Sequence, residues 1–319
     1  MPRIEQCLKN QLARVPQTFS LAVTARDKYT SEILPNTDVA IKNLKNEIVR
    51  TGRTNSFGVV TFDNMLPDNY NIEGLLYDVP LEKENAQKNE FEPNRTLQKE
   101  ILYGDRNFII KGKTFICNST TPLPDVTVVL ENTEKAFKKT TITDTLGQFI
   151  LNLPEIGPYS LYGKKQNYFS QVEDIDAVNY NREKNLFILL EMCAQETECD
   201  KAIQLKNILY DLDKYFIRED AKPELNKLVR FMIDNPGVNV ELGSHTDSRA
   251  SNEYNMTLSQ NRANAAVDYI VTKGIDRNRI TAKGYGETQL LNRCADGVDC
   301  TEAEHQVNRR TEFKVICPQ

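Results

Sequence analysis

The 319-residue sequence has no tryptophan, only two histidines and no apolar run approaching eighteen residues. The last absence excludes an encoded membrane-spanning helix. Scarce histidine leaves little for a zinc cluster or a Cys/His dyad, and no paired-carboxylate motif stands out, so an enzyme is not expected. A strong charge of either sign is also missing. The 40 Lys and Arg against 45 Asp and Glu give a net charge of −5, without the basic stripe that a nucleic-acid partner requires. The opening stretch MPRIEQCLKNQLARVPQ has no apolar core of a secretory leader. A cytoplasmic protein, or a mature or truncated chain, is therefore expected.

What is present is a globular composition, 39% hydrophobic and 27% charged, over a length that suits two or three domains. Among seven cysteines, two pairs share one spacing, Cys193/Cys199 in CAQETEC and Cys294/Cys300 in CADGVDC. Neither loop contains His, and zinc knuckles are usually shorter. Disulfides within each pair are the leading expectation, with free thiols and a metal site as alternatives. Disulfides would imply an oxidising compartment. Cys7, Cys117 and Cys317 then remain, and an odd total leaves one unpaired unless it bonds another chain.

Two stretches resemble each other, 37–74 and 124–163. Val39 aligns with Val126, Gly58 with Gly147, Pro67 with Pro154 and Tyr70 with Tyr159. Alternation such as Val126-Val128-Leu130 has the period of a half-buried strand. Short strands between Asn, Asp, Gly and Pro suggest small all-β sandwiches. The frame is similar to the carboxypeptidase-regulatory-like or transthyretin-like sandwich, which implies a spacer or docking module. Residues 81–100, charged and apolar-poor, read as a long loop or linker arm.

From Gln204 onward the periodicity changes. LKNILYDLD reads as a strand and AKPELNKLVRFMIDNPG as a helix, with Pro223 early and Gly237 past its end. VNVEL reads as a strand, TLSQNRANAAVDYIVTKG as a helix stopped by Gly274, and RITAKGYG as a strand. Thr301 and Glu304 form a capping-box signature for a third helix, and TEFKVI closes as a strand. The expected fold is multidomain: two all-β sandwich repeats, then an α/β layer sandwich in the order β-α-β-α-β-α-β. The expected divisions are an N-terminal segment 1–16, repeats 17–105 and 106–193, a linker 194–202 and a final domain 203–317.

Within that last domain, YDLDKYFI, SHTDS, LSQNRANAAVDYI, KGID, KGYGE and NRRTEF occur in order. This series resembles the OmpA C-terminal-like domain, also found in Pal lipoproteins and MotB stator proteins. CADGVDC and EHQVNRRTEF are similar to the version in Bacteroidota envelope proteins. The resemblance implies a non-catalytic, periplasmic, outer-membrane-associated anchor. It would hold the diaminopimelate stem peptide of peptidoglycan, without a cofactor or metal, and tether an outer-membrane complex such as secretion, gliding or assembly machinery.

The resemblance also implies roles. Asp247 accepts the ligand ammonium, and Arg262 forks onto a carboxylate. Asp213 takes a polar loop position. Asn255, Leu258 and Ser259 supply polar and backbone contacts at a helix N-terminus, and Arg310 supports the site. His245 and His305 read as structural or solvated, and Arg309 as an ordinary ion-pair partner. Where the family has Gly three residues after the Asp, this chain has Ala250; if that position needs φ > 0, local strain of about 1 kcal/mol is expected. A scaffold subunit that uses the domain for protein contacts without wall binding is the alternative.

Overall fold

The structure, a computed structural model, describes residues 17–132, 134–153, 157–176, 180–206, 208 and 215–316. The expectations that fall on segment 1–16, Cys7, Pro154, Asp213 and Cys317 lie outside these residues.

The strands are β1 (Ser20–Asp27), β2 (Asp38–Lys42), β3 (Ile48–Arg53), β4 (Val59–Phe62), β5 (Tyr70–Leu76), β6 (Val79–Pro80), β7 (Glu84–Ala86) and β8 (Thr96–Tyr103). There follow β9 (Phe108–Ile116), β10 (Thr127–Asn132), β11 (Phe137–Ile142), β12 (Gln148–Leu153), β13 (Pro158–Lys164), β14 (Tyr168–Ser170), β15 (Val172–Asp176) and β16 (Phe187–Glu196). The C-terminal part runs β17 (Ala202–Leu205), α1 (Lys222–Asp234), β18 (Asn239–His245), α2 (Asn252–Thr272), β19 (Ile280–Gly286), α3 (Glu302–Asn308) and β20 (Thr311–Ile316). No helix among the described residues is long and apolar enough to cross a membrane.

The chain forms two compact units. The first comprises described residues within 1–110, 150–157 and 176–189. It holds a sheet ordered β4-β1-β8 and another ordered β3-β2-β5-β6, with β7 pairing β5. Their alternating apolar residues, including Leu21, Val23, Val39, Ile41, Ile72 and Ile101, meet in one core. The expected loop at 81–100 instead contains β7 and most of β8, which pairs in parallel with β1 from Ser20↔Thr96 to Asp27↔Tyr103. Glu100 lies on the exposed face of this strand, while Lys99, on the side of buried Ile101 and Tyr103, is largely covered and pairs with Glu90 at 2.8 Å. Low overall apolarity hid a strand with one wet face.

The resembling stretches build the same turn. Gly58 and Gly147 have φ of 70° and 69°, a region L-residues avoid. Asn55 Oδ1 caps the N–H groups of Phe57 and Val59; Asp144 Oδ1 caps those of Leu146 and Gln148.

The second unit contains the sheet ordered β11-β10-β13-β15, strand β14 with residues 111–116 of β9 and 190–196 of β16, and the C-terminal sheet β17-β20-β18-β19. In the last sheet β18 and β19 are parallel and β20 is antiparallel to β18. The apolar faces of α1 (Leu225, Leu228, Met232) and α2 (Ala263, Val267, Ile270) close on Val240, Leu242 and Phe313 of this sheet. Phe169 from β14 joins the same core, with its ring 5.0 Å from Phe313 and 6.0 Å from Phe231.

Cys193 is bonded to Cys117, not to Cys199. Cys193 sits in β16, whose sheet neighbour β9 ends one residue before Cys117, and Cys117 N–H donates to Ala194 O at 3.1 Å. Cys199 is disulfide-bonded to a different cysteine. Residues 194–196 belong to β16, so only 197–201 separate that strand from β17.

Candidate functional site

The topology brings the site together. Because β18 and β20 are antiparallel, with Ser244 opposite Thr311, the exit of β18 lies beside the entry to β20. Asp247 follows the first by two residues, and Arg309 and Arg310 precede the second. His245 N–H donates to Arg310 O and Thr246 N–H to Gly286 O, both at 2.9 Å, which ties three strand ends at one edge of the sheet.

The helix carrying Arg262 begins earlier than its apolar pattern suggests. Ser251 caps it by accepting the Tyr254 N–H, and α2 runs from Asn252. Leu258 and Ser259 are therefore well inside the helix, beyond the first four residues whose N–H groups lack an intrahelical partner. The expected backbone contacts from these two positions are not those of a helix N-terminus. Ser259 Oγ is committed as well: it donates to Met256 O at 3.0 Å and accepts the Gly286 N–H at 2.8 Å. Gly284 permits this close approach, since a Cβ there would meet Gln260 N at 2.4 Å.

Asp247 is buried. Its Oδ2 accepts Arg249 Nη2 at 2.8 Å, Arg249 Nε at 3.2 Å and Arg309 Nη1 at 2.5 Å. Its Oδ1 accepts the Arg249 N–H at 3.3 Å. Burial pushes the Asp247 carboxyl up, but the bonds from Arg249 and Arg309 outweigh it and hold the group below its ordinary value. Buried Asn255 donates to the carbonyls of Asp247 and Ala250 at 3.0 and 3.3 Å, and to Glu287. It therefore shapes the loop that presents Asp247. Ala250 is not among the positive-φ residues, so the strain foreseen there does not arise. Ser248 Oγ donates to Cys294 O at 2.6 Å, bracing the loop against the bonded pair Cys294–Cys300.

Arg262 is also buried. It lines a recess of about 50 Å3 together with Ser244, His245, Arg309 and Arg310. Such a volume admits a small polar group, not a whole residue. Arg310 Nε donates to Glu312 at 3.1 Å. Glu312 Oε1 lies 3.2 Å from His245 Nε2; the contact is an ion-pair distance without sound hydrogen-bond direction, since His245 Nε2 has no hydrogen-bond partner. The His245 ring stacks on Tyr285, centroids 4.9 Å apart. Burial raises the Glu312 carboxyl, and His245 and Arg310 more than offset it, so it too is held low.

Arg309 links the two halves. It contacts Asp247 and shares the recess with Arg262, and it also reaches Glu302 and Gln306. Arg309 and Arg249 were not foreseen as site residues. The signal was available: Arg249 stands two residues from Asp247 in SHTDSR, and Arg309 is the first arginine of NRR. Among the described residues Cys294, Cys300 and Glu304 are the one group with metal-like clustering, and the bond between the two sulfurs removes the thiolates such a site would use.

Residues 209–303 match the OmpA family, so the C-terminal part of the chain is an OmpA-family domain. Over 112 residues the chain is 40% identical to the photosystem I P700 chlorophyll a apoprotein A2 of Gloeobacter violaceus, covering 34% of this chain and 13% of that one. It is 38% identical to outer membrane porin F of Pseudomonas fluorescens, over 34% of this chain and 32% of the porin. It is 32% identical to the peptidoglycan-associated lipoprotein of Rhizobium meliloti, over 29% of this chain and 52% of the lipoprotein. The chain thus spans between 13% and 52% of these relatives' lengths. It is a periplasmic, outer-membrane-associated envelope protein, a placement in keeping with its disulfides.

Proposed function

We propose that the C-terminal domain binds the stem peptide of peptidoglycan through its diaminopimelate residue and anchors an outer-membrane complex to the wall without catalysis. The observation that carries this reading is one buried carboxylate, Asp247, and one buried guanidinium, Arg262, joined through Arg309 at a single edge of the sheet. Diaminopimelate presents an ammonium and a carboxylate on a short carbon skeleton. A fixed carboxylate answers the first, and Arg262, with its planar fork, answers the second. The recess suits the tip of a carboxylate. Asn255 and Arg310 position the two, and Asp213 is proposed as a further polar contact. No bond is broken, so no nucleophile or tuned acid is needed. Similarity to a peptidoglycan-associated lipoprotein supports the reading.

The two all-β regions, taken as 17–105 and 106–193, are proposed as spacer or docking modules ahead of a domain at 203–317. The second reading is an assembly scaffold that does not bind the wall. It draws on the saturation of Asp247 by Arg249 and Arg309. Co-sedimentation with purified diaminopimelate-type wall separates the two. The anchor reading expects wild-type protein in the wall pellet and Asp247→Ala in the supernatant. Equal soluble fractions for both favour the scaffold.

A further inference from the structure

Asp247 does not wait as a bare carboxylate. Its Oδ2 accepts three guanidinium hydrogen bonds, two from Arg249 and one from Arg309. Among the described residues Oδ1 accepts only the Arg249 N–H at 3.3 Å, so an ammonium that is to engage both oxygens needs one guanidinium to give way at Oδ2, because a carboxylate oxygen has room for two or so good donors.

The two arginines differ in how firmly they are held. Arg249 lies on the loop between β18 and α2, with its side chain 50% exposed. Arg309 is 21% exposed, ends α3 and bonds Asp247, Glu302 and Gln306 while lining the recess of Arg262. Arg249 also has a second partner outside the site, since its Nη1 lies 2.7 Å from Glu302 Oε2. On leaving Asp247 it would keep that partner, whereas Arg309 would leave a buried recess.

We propose that Arg249 is a displaceable plug of the ammonium subsite: it holds Asp247 in the protein alone, releases that carboxylate when the ligand ammonium arrives while keeping its bond to Glu302, and leaves Arg309 to join Arg262 on the ligand carboxylate. This rests on the wall-binding reading above. It makes Arg249 a self-competitor, a residue whose removal strengthens binding although it touches the central carboxylate.

The test is titration of a diaminopimelate-containing stem peptide into wild type, Arg249→Ala, Arg249→Gln and Arg309→Ala, with association rates by stopped flow. The plug predicts that both Arg249 variants bind about two- to fivefold tighter, the equivalent of one exposed ion pair, through faster association, and that Arg309→Ala binds more weakly. Binding by the Arg249 variants but not by wild type would support it more strongly still. Wild-type binding that is unchanged or weakened in both Arg249 variants overturns the plug and leaves the wall-binding reading intact. No binding by any of the folded proteins overturns both.

Discussion

Arg309 Nη1 lies 2.5 Å from Asp247 Oδ2, and the same side chain lines the recess that holds Arg262. Sixty-two residues separate this pair in sequence. The antiparallel pairing of β18 with β20 closes that gap, so the geometry of the site depends on the sheet.

Acid should weaken the domain. The Asp247 and Glu312 carboxyls are both held below their ordinary values. Their stabilisation is therefore complete above the unfolded carboxyl values of about 4 and is lost as pH falls through the lower folded values. Urea midpoints should fall below about pH 4. The gap between wild type and Glu312→Gln should narrow over that range. A gap that stays constant to the lowest pH would show that Glu312 is not held low.

Gly284→Ala should destabilise the domain by about 1–3 kcal/mol, because the new Cβ would press on the backbone of Gln260. The helix that carries Arg262 would have to lift from β19. Denaturant midpoints read the stability, and stem-peptide affinity should fall with it. Gly237→Ala, with nothing within 4 Å, is the matched control.

The disulfides Cys117–Cys193 and Cys294–Cys300 should differ in worth. Cys117–Cys193 closes a separation of 76 residues and Cys294–Cys300 one of 6. Loop-closure entropy assigns about 4 kcal/mol to the first and about 2 kcal/mol to the second. Paired Cys→Ser variants compared by urea denaturation should keep that order. Loss of the small loop should also weaken ligand binding, since Ser248 anchors the Asp247 loop to Cys294 O.

Phe169→Ala should cost about 3–5 kcal/mol. Phe169 comes from a β-strand ahead of the C-terminal domain, yet it packs against Phe231 and Phe313 in that domain's core. Thermal denaturation followed by near-ultraviolet circular dichroism would show the loss. An unchanged midpoint would mean the strand contributes nothing to the core.

Local pattern carried much of this. The alternation in β10 and the spacing of Leu225, Leu228 and Met232 mark buried faces directly, and Thr301 with Glu304 forms its capping box in the structure. What could not be read was long-range or masked by polarity. Cys193 and Cys199 mimic the spacing of Cys294 and Cys300, but an extended strand carries residues apart at about 3.3 Å each, and the partner of Cys193 came from across the sheet. The first turn of α2, NEYN, is polar, so periodicity placed its start at Thr257 while the cap at Ser251 set it at Asn252. Arg309 reads as an ordinary ion-pair partner and Arg249 carries no signal of its own, because nothing in the sequence says that Asp247 is buried between them.

The most direct measurement is calorimetric titration of a diaminopimelate-containing stem peptide into the chain. A lysine-containing peptide, which lacks the second carboxylate, and the variants Arg262→Ala and Asp247→Ala serve as controls. Saturable binding that disappears in all three controls is the predicted result. No binding by wild-type protein that is folded by circular dichroism, or equal binding of the two peptides, would contradict the account.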